Sequence, residues 1–205
     1  MKKLIIAVLA IMLVVCISIG ATLAYLFVKT DPVVNTFAYG DIDIELWEND
    51  YILSDNSLNT LEKVTFEQDY KMVPGNTMPK NPTITVKKDS EACYLFVEIV
   101  KSENFDDFMT YEIADEWIKG DGIDIPGNVY YREVAATTVN TDIKILENDQ
   151  VEVLDTVTKT MLNADNFQNP TLTFTAYAVQ KANVDSVAEA WAIAQNKGSD
   201  TTAAN

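Results

Sequence analysis

The sequence predicts an all-β protein: an antiparallel β-sandwich, of jelly-roll-like or immunoglobulin-like kind, with a short C-terminal helix. Three observations predict it. Apolar and polar residues alternate with period two in several separate runs. Proline, glycine and asparagine punctuate the intervals between those runs. Only one stretch, near the C-terminus, carries clear helical spacing. Short strands separated by tight turns bury their apolar faces by stacking sheet on sheet.

Ahead of the alternation stands a different kind of segment. Met1-Lys2-Lys3 is followed by residues 4–28 without a charge, and then by Lys29-Thr30-Asp31. A basic start plus a long apolar run is a secretory signal or a membrane anchor. Small residues, Gly20-Ala21-Thr22-Leu23-Ala24, interrupt its far end, and Ala24 is placed as the last residue before a signal-peptidase cut. The expectation is a signal peptide over 1–24, or a membrane anchor reaching to 28 if it stays uncleaved. Leu13-Val14-Val15-Cys16 loosely matches a lipoprotein box, but Val15 is too bulky before a lipidated cysteine.

Residues 25–40 form an N-terminal arm, and 41–198 the sandwich domain. Within the domain Asp41-Ile42-Asp43-Ile44-Glu45-Leu46 alternates without a break, so one face is wet and one buried. Pro74-Gly75-Asn76 and Asn81-Pro82 are turns, and Thr83-Ile84-Thr85-Val86-Lys87 alternates again. Residues 94–100 are nearly continuously apolar, the mark of a central strand covered on both faces. Gly120-Asp121-Gly122 and Pro126-Gly127-Asn128 are further turns. Weaker strands follow at Val129-Tyr130-Tyr131, Asp142-Ile143-Lys144-Ile145-Leu146 and around Val151 and Val153. After Asn169-Pro170, residues 171–178 alternate once more. Ser186 and Glu189 have capping-box spacing, and Val187, Ala190, Trp191 and Ala194 form an apolar stripe that Lys197-Gly198 ends. Short helices are weakly signalled near 104–109 and 161–165. Residues 199–205 read as a disordered tail.

Composition narrows the function. The chain carries 15 Lys+Arg against 31 Asp+Glu, a formal net charge of −16, more negative still once Lys2 and Lys3 leave. Nucleic acid and anionic membrane surfaces need basic patches, so neither is an expected partner; a membrane contact would come only through an uncleaved signal. Acid near the pI of about 4.2, or divalent cations, is expected to relieve the mutual repulsion and promote association. With Cys16 in the signal, Cys93 stands alone in an apolar run, a buried thiol rather than half of a disulfide. There is no histidine at all, so the common zinc, serine and cysteine hydrolase sites cannot be assembled.

The order of these segments resembles the TasA/camelysin-like secreted proteins of Gram-positive bacteria, whose signals are cut by a SipW-type peptidase. The stretch 20–27 resembles that signal's end, and Asn35-Thr36-Phe37-Ala38-Tyr39-Gly40 running into 41–46 resembles the family's first strand. Val73-Pro74-Gly75-Asn76 through 82–86 and Ala92-Cys93-Tyr94-Leu95-Phe96-Val97 is similar to its turn and following hairpin. Residues 172–180, then Ala188-Glu189-Ala190-Trp191, resemble its closing strand and helix. The resemblance implies a jelly-roll-like sandwich, exported to the extracellular matrix or cell surface and assembled into biofilm-matrix fibres. It implies that the N-terminal segment of one subunit completes a sheet of the next. The partner is then the chain itself or a related secreted subunit, with the SipW-type signal peptidase acting during export.

The residues of the arm support such a step on their own. Tyr25, Leu26, Phe27, Val28, Val33, Val34 and Phe37 are too apolar to hang in water. An extended apolar arm beside an open sheet edge favours strand addition, and a head-to-tail contact builds filaments. The same arm has two other readings, an ordinary edge strand of its own domain or a retained anchor. Pro32 cannot donate to a ladder, so the donated piece is 25–30 or 33–39.

Other chemistries fit these residues less well. A camelysin-like metallopeptidase finds no HExxH and no Gly-x-Ser-x-Gly, leaving only a carboxylate cluster at Asp106, Asp107, Glu112, Asp115 and Glu116; no enzyme is expected. No cofactor is expected either, although Asp121, Asp124 and Asn128 offer hard oxygen ligands of the kind Ca²⁺ prefers. A non-polymerising surface module would use Trp47, Tyr111, Trp117, Tyr130 and Tyr131 as a sugar-stacking platform.

Overall fold

The computed structural model describes residues 27–31, 34–35, 42–52, 54–65, 68–70, 72–122, 124–164 and 166–200. The expected signal peptide with its cut at Ala24, the arm residues Tyr25, Leu26, Val33 and Phe37, and the chain beyond 200 lie outside them. No described helix is long and apolar enough to cross a membrane.

The protein is mostly β and antiparallel throughout. In chain order the strands are β1 (Phe27–Asp31), β2 (Val34–Asn35), β3 (Ile44–Ile52), β4 (Ser57–Val64), β5 (Thr77–Pro79), β6 (Thr83–Val86) and β7 (Cys93–Lys101). They continue with β8 (Met109–Thr110), β9 (Ile118–Lys119), β10 (Val129–Val134), β11 (Thr141–Lys144), β12 (Gln150–Val153) and β13 (Leu172–Gln180). Three sheets result, ordered β2-β1-β13-β7-β10-β9, β11-β6-β3-β4 and β5-β12-β8.

Strand β7 organises the packing. Its apolar run predicts cover on both faces, and the structure supplies it. Cys93, Leu95, Val97 and Ile99 enter the main core, and Tyr94 and Phe96 enter a second one on the opposite face. The neighbouring β13 divides likewise, Phe174, Ala176 and Ala178 to the main core, Tyr177 and Val179 to the second. Ile44, Ile84, Val86 and Ile143 from the four-stranded sheet meet the main core, as do Val151 and Val153 from the three-stranded one. Each Val, Leu, Ile or Phe among these contributes roughly 1.5–3 kcal/mol by leaving water.

Several details differ from expectation. The first alternating run enters its strand at Ile44, although Ile42 is already buried and Asp43 exposed. Strand β6 is buried at all four positions, not at alternate ones. Its threonines tolerate this because Thr85 accepts the Trp47 indole N–H at 2.7 Å and donates to Asp142 at 2.5 Å. The turn at Pro74-Gly75-Asn76 is as expected: Gly75 has φ +73, and the Asn76 N–H closes onto the Val73 carbonyl at 3.1 Å.

The helices are α1 (Phe105–Phe108), α2 (Lys159–Leu162) and α3 (Val187–Asp200). Helix α3 starts where the capping pattern placed it, with the Glu189 N–H donating to Ser186 Oγ at 3.2 Å. The reciprocal bond is displaced: the Glu189 carboxylate accepts from Asp185 N–H at 2.8 Å rather than from Ser186. The helix continues through Gly198 to Asp200. An internal glycine costs about 1 kcal/mol relative to alanine and does not by itself end a helix.

Cys93 is fully buried, and burial pushes its thiol from 9.0 up to about 12. Burial, with the nearby Tyr130 and Asp106, pushes Tyr111 from 10.0 to about 12 as well. Both groups are neutral when protonated, and folding favours the neutral form. Their stabilisation is therefore complete below pH 9 and is lost as pH rises to about 12. The expected result is a urea midpoint that is level from pH 7 to 8.5 and falls between pH 9 and 12, less steeply in Cys93→Ala. A thiol reagent that labels native Cys93 at pH 8 as fast as the urea-unfolded chain would contradict the placement.

Candidate assembly site

The arm meets the body of the protein at one sheet edge. Strand β1 lies antiparallel on β13, with Phe27 opposite Val179, Val28 opposite Ala178, Lys29 opposite Tyr177 and Thr30 opposite Ala176. Strand β2 pairs antiparallel with the end of β1 through Thr30–Asn35 and Asp31–Val34. Strand β1 ends at Asp31, immediately before Pro32 in the sequence. Of the expected assembly residues, Phe27, Val28 and Val34 are therefore in strand conformation within their own chain.

Without β1 the sheet would end at β13. That strand runs nine residues, Leu172-Thr173-Phe174-Thr175-Ala176-Tyr177-Ala178-Val179-Gln180, with no charge and no proline. Its other side pairs with β7 along the full length, from Leu172–Lys101 to Gln180–Cys93. Long, uncharged edges of this kind are templates for another strand, and proteins usually blunt them with charge, proline or a cover. Here β1 is the cover, and it spans only residues 176–179. Helix α3 runs beside β1 and packs over the adjacent face. Trp191 fixes that helix, with its ring 5.3 Å from Phe96 and 5.4 Å from Tyr177.

Which sheet edge the N-terminal segment lies against has no motif of its own in the sequence. A signal for it was present, since residues 171–180 are the longest strand-like run without a charged residue outside the leader.

The other candidates are placed as follows. Asp121 is ion-paired with Lys119 at 2.6 Å, and that bond holds the Lys119 ammonium above the usual lysine range. Its carboxylate also lies against Gly127, where a Cβ would meet Oδ1 at 2.5 Å. Asn128 turns its amide N–H toward the Ile99 carbonyl at 3.4 Å, and Asp124 occupies a left-handed turn position with φ +58. These contacts hold a loop together. Among the described residues no three His, Cys, Asp or Glu side chains converge as metal ligands do. Within the acidic stretch, Asp106 pairs with Lys101 at 2.7 Å and Glu116 with Arg132 at 2.5 Å.

The proposed sugar platform is divided by the fold. Trp47 and Trp117 are 8% and 7% exposed, and the Trp117 indole donates to the Lys144 carbonyl at 2.7 Å, so both are core residues. Tyr130 and Tyr131 point to opposite faces of β10, as successive strand residues must.

No family model, curated protein or solved structure matches the chain.

Proposed function

We propose that this chain is an exported structural subunit of extracellular biofilm-matrix or cell-surface fibres, a TasA/camelysin-like protein with a jelly-roll-like sandwich. In this reading subunits join head to tail, each giving its N-terminal segment to the β13 edge of the next. The chain is a structural subunit rather than an enzyme, and its partner is another copy or a related secreted subunit. A SipW-type peptidase releases it after Ala24. The sandwich reading is supported by the meeting of side chains from all three sheets in one core.

The observation that carries the assembly reading is the edge itself. A nine-residue uncharged strand is covered over part of its length by a segment from the opposite end of the chain. The pairing in one chain and the pairing between two chains use the same backbone groups. Exchange therefore costs little beyond the hinge, and a heterologous exchange propagates without closing. The strong negative charge opposes that step at neutral pH and accounts for its expected dependence on acid or divalent cations.

Mixing two variants of the chain from residue 25, each with one introduced cysteine in a Cys93→Ala background, tests the register. Val28 and Ala178 stand directly opposite. A Val28→Cys chain oxidised together with an Ala178→Cys chain is expected to give covalent dimers joining one of each. Such a bond forms only if the strand of one molecule lies on the edge of the other. Chains that assemble yet remain unlinked in this mixture, and in the Phe27→Cys with Val179→Cys mixture, would rule the exchange out.

A further inference from the structure

On the face of the six-stranded sheet that carries α3, a groove of about 480 Å³ opens between β9, the end of β10 and the start of the helix. Its floor holds Tyr94 from β7 and Tyr131 from β10, and its apolar rim is Ile118 from β9 and Val187 from α3. The size falls within the range of small-molecule sites. Tyr94 is held down by the Lys181 ammonium 5.6 Å above its ring, and Tyr131 packs against Phe96 at 6.4 Å. Tyr94, buried and covered by Lys181, is the base of the groove, and Tyr131, half-buried and set against Phe96, is its stacking surface.

The charges around this groove decide what it can take. Arg132 is paired with Glu116 at 2.5 Å, and Glu133 with Lys181 beside the groove, so every charge lining it already has an opposite partner. A charged ligand would have to break one of these pairs, and a polyanion would also meet the overall charge of −16. Paired heads still have unused hydrogen-bonding capacity, since a guanidinium has five N–H donors and a carboxylate about four lone-pair sites. Arg132 is itself incompletely satisfied: its Nε is buried with no hydrogen-bond partner, and its guanidinium rests 5.8 Å from the Trp117 ring centroid. Donors and acceptors mixed around aromatic floors suit hydroxyl groups, which do both. Ile118, 54% exposed, offers a strip for the C–H face of a ring but too little area for a protein partner.

We propose that this groove binds a neutral saccharide, two or three sugar rings long, stacked on Tyr131 and hydrogen-bonded by Arg132, Glu133 and Glu116. The site lies on β10 and β9, at the far side of the sheet from β1, so its occupancy does not depend on strand exchange. A fibre subunit with such a groove would attach to uncharged polysaccharide in the matrix around it.

The test is isothermal titration of the chain lacking its first 24 residues with neutral tetrasaccharides: β-1,4-glucose, α-1,4-glucose and β-1,4-N-acetylglucosamine. Tetragalacturonate serves as the anionic comparison. At least one neutral sugar is expected to bind saturably at millimolar concentrations, with the anionic one much weaker. Tyr131→Ala is expected to weaken binding about tenfold, the loss of one ring contact. Ile118→Ser, at an exposed position that leaves the fold intact, is expected to weaken it in the same direction. No saturable heat with any neutral sugar, stronger binding of the anionic one, or unchanged affinity in both variants would each overturn the assignment.

Discussion

Removing residues 25–34 is expected to abolish filaments and leave a less stable subunit with a sticky edge. The deletion takes away β1 and its pairing with β13, from Phe27–Val179 to Thr30–Ala176. Each lost backbone hydrogen bond contributes about 0.5–1.5 kcal/mol net, so the ladder is worth several kcal/mol together with the side chains it shelters. What remains is β13 as a bare, uncharged edge. A synthetic peptide of residues 25–35 should bind that edge and raise the melting temperature of the truncated chain, because it adds a strand to the folded state only. The same peptide in excess should shorten filaments of the intact chain by occupying their growing ends. Electron microscopy of the truncated protein decides the matter. Filaments of ordinary length from it would end the strand-exchange reading.

Trp191→Ala is expected to lower stability by about 3–5 kcal/mol, measured by urea unfolding. The side chain is 4% exposed and is the joint between α3 and the sheet, touching Phe96 and Tyr177. Truncation leaves a hole bounded by strands that cannot move together, since β7 and β13 are paired along their whole length. The rest of the helix interface is small: Ala190 and Ala194 carry little area, and Val187 is only half-buried. The variant should therefore loosen α3 first, seen as early amide exchange in 187–196 and as binding of a hydrophobic dye. A loss below 1 kcal/mol would mean that the second core contributes little to the fold.

The elements most legible in the sequence were those whose environment is uniform along their length. The run that became β7 is apolar at both parities because both its faces are covered, and β13 alternates until it approaches α3. Helix α3 could be read because a cap and an apolar stripe agree. Strand β4 could not. Its residues Ser57–Val64 are mostly exposed or half-buried, and its strand state comes from pairing with β3 across a register shift at Asn49/Asp50. The two-residue strands β8 and β9 are likewise set by their partners, not by their own residues. The aromatics taken together as a surface platform were sorted by parity instead, Tyr130 to one side and Tyr131 to the other. A list of aromatic residues says nothing about which share a face until the strand and its register are known.

By itself the sequence determined that this protein is built of antiparallel strands with one capped helix. It determined a strongly acidic charge and a chemistry without histidine. These follow from local periodicity and from composition, which need no knowledge of distant partners. Only the tertiary structure decided that residues 27–30 lie on β13, that this cover leaves the rest of the β13 edge open, and that Tyr94 and Tyr131 share a groove. Period-two patterning tells which side chains of a strand point the same way. Pairing between Phe27 and Val179, at opposite ends of the chain, is chosen by backbone hydrogen bonds and by the shape of the core, and neither leaves a local mark in the sequence.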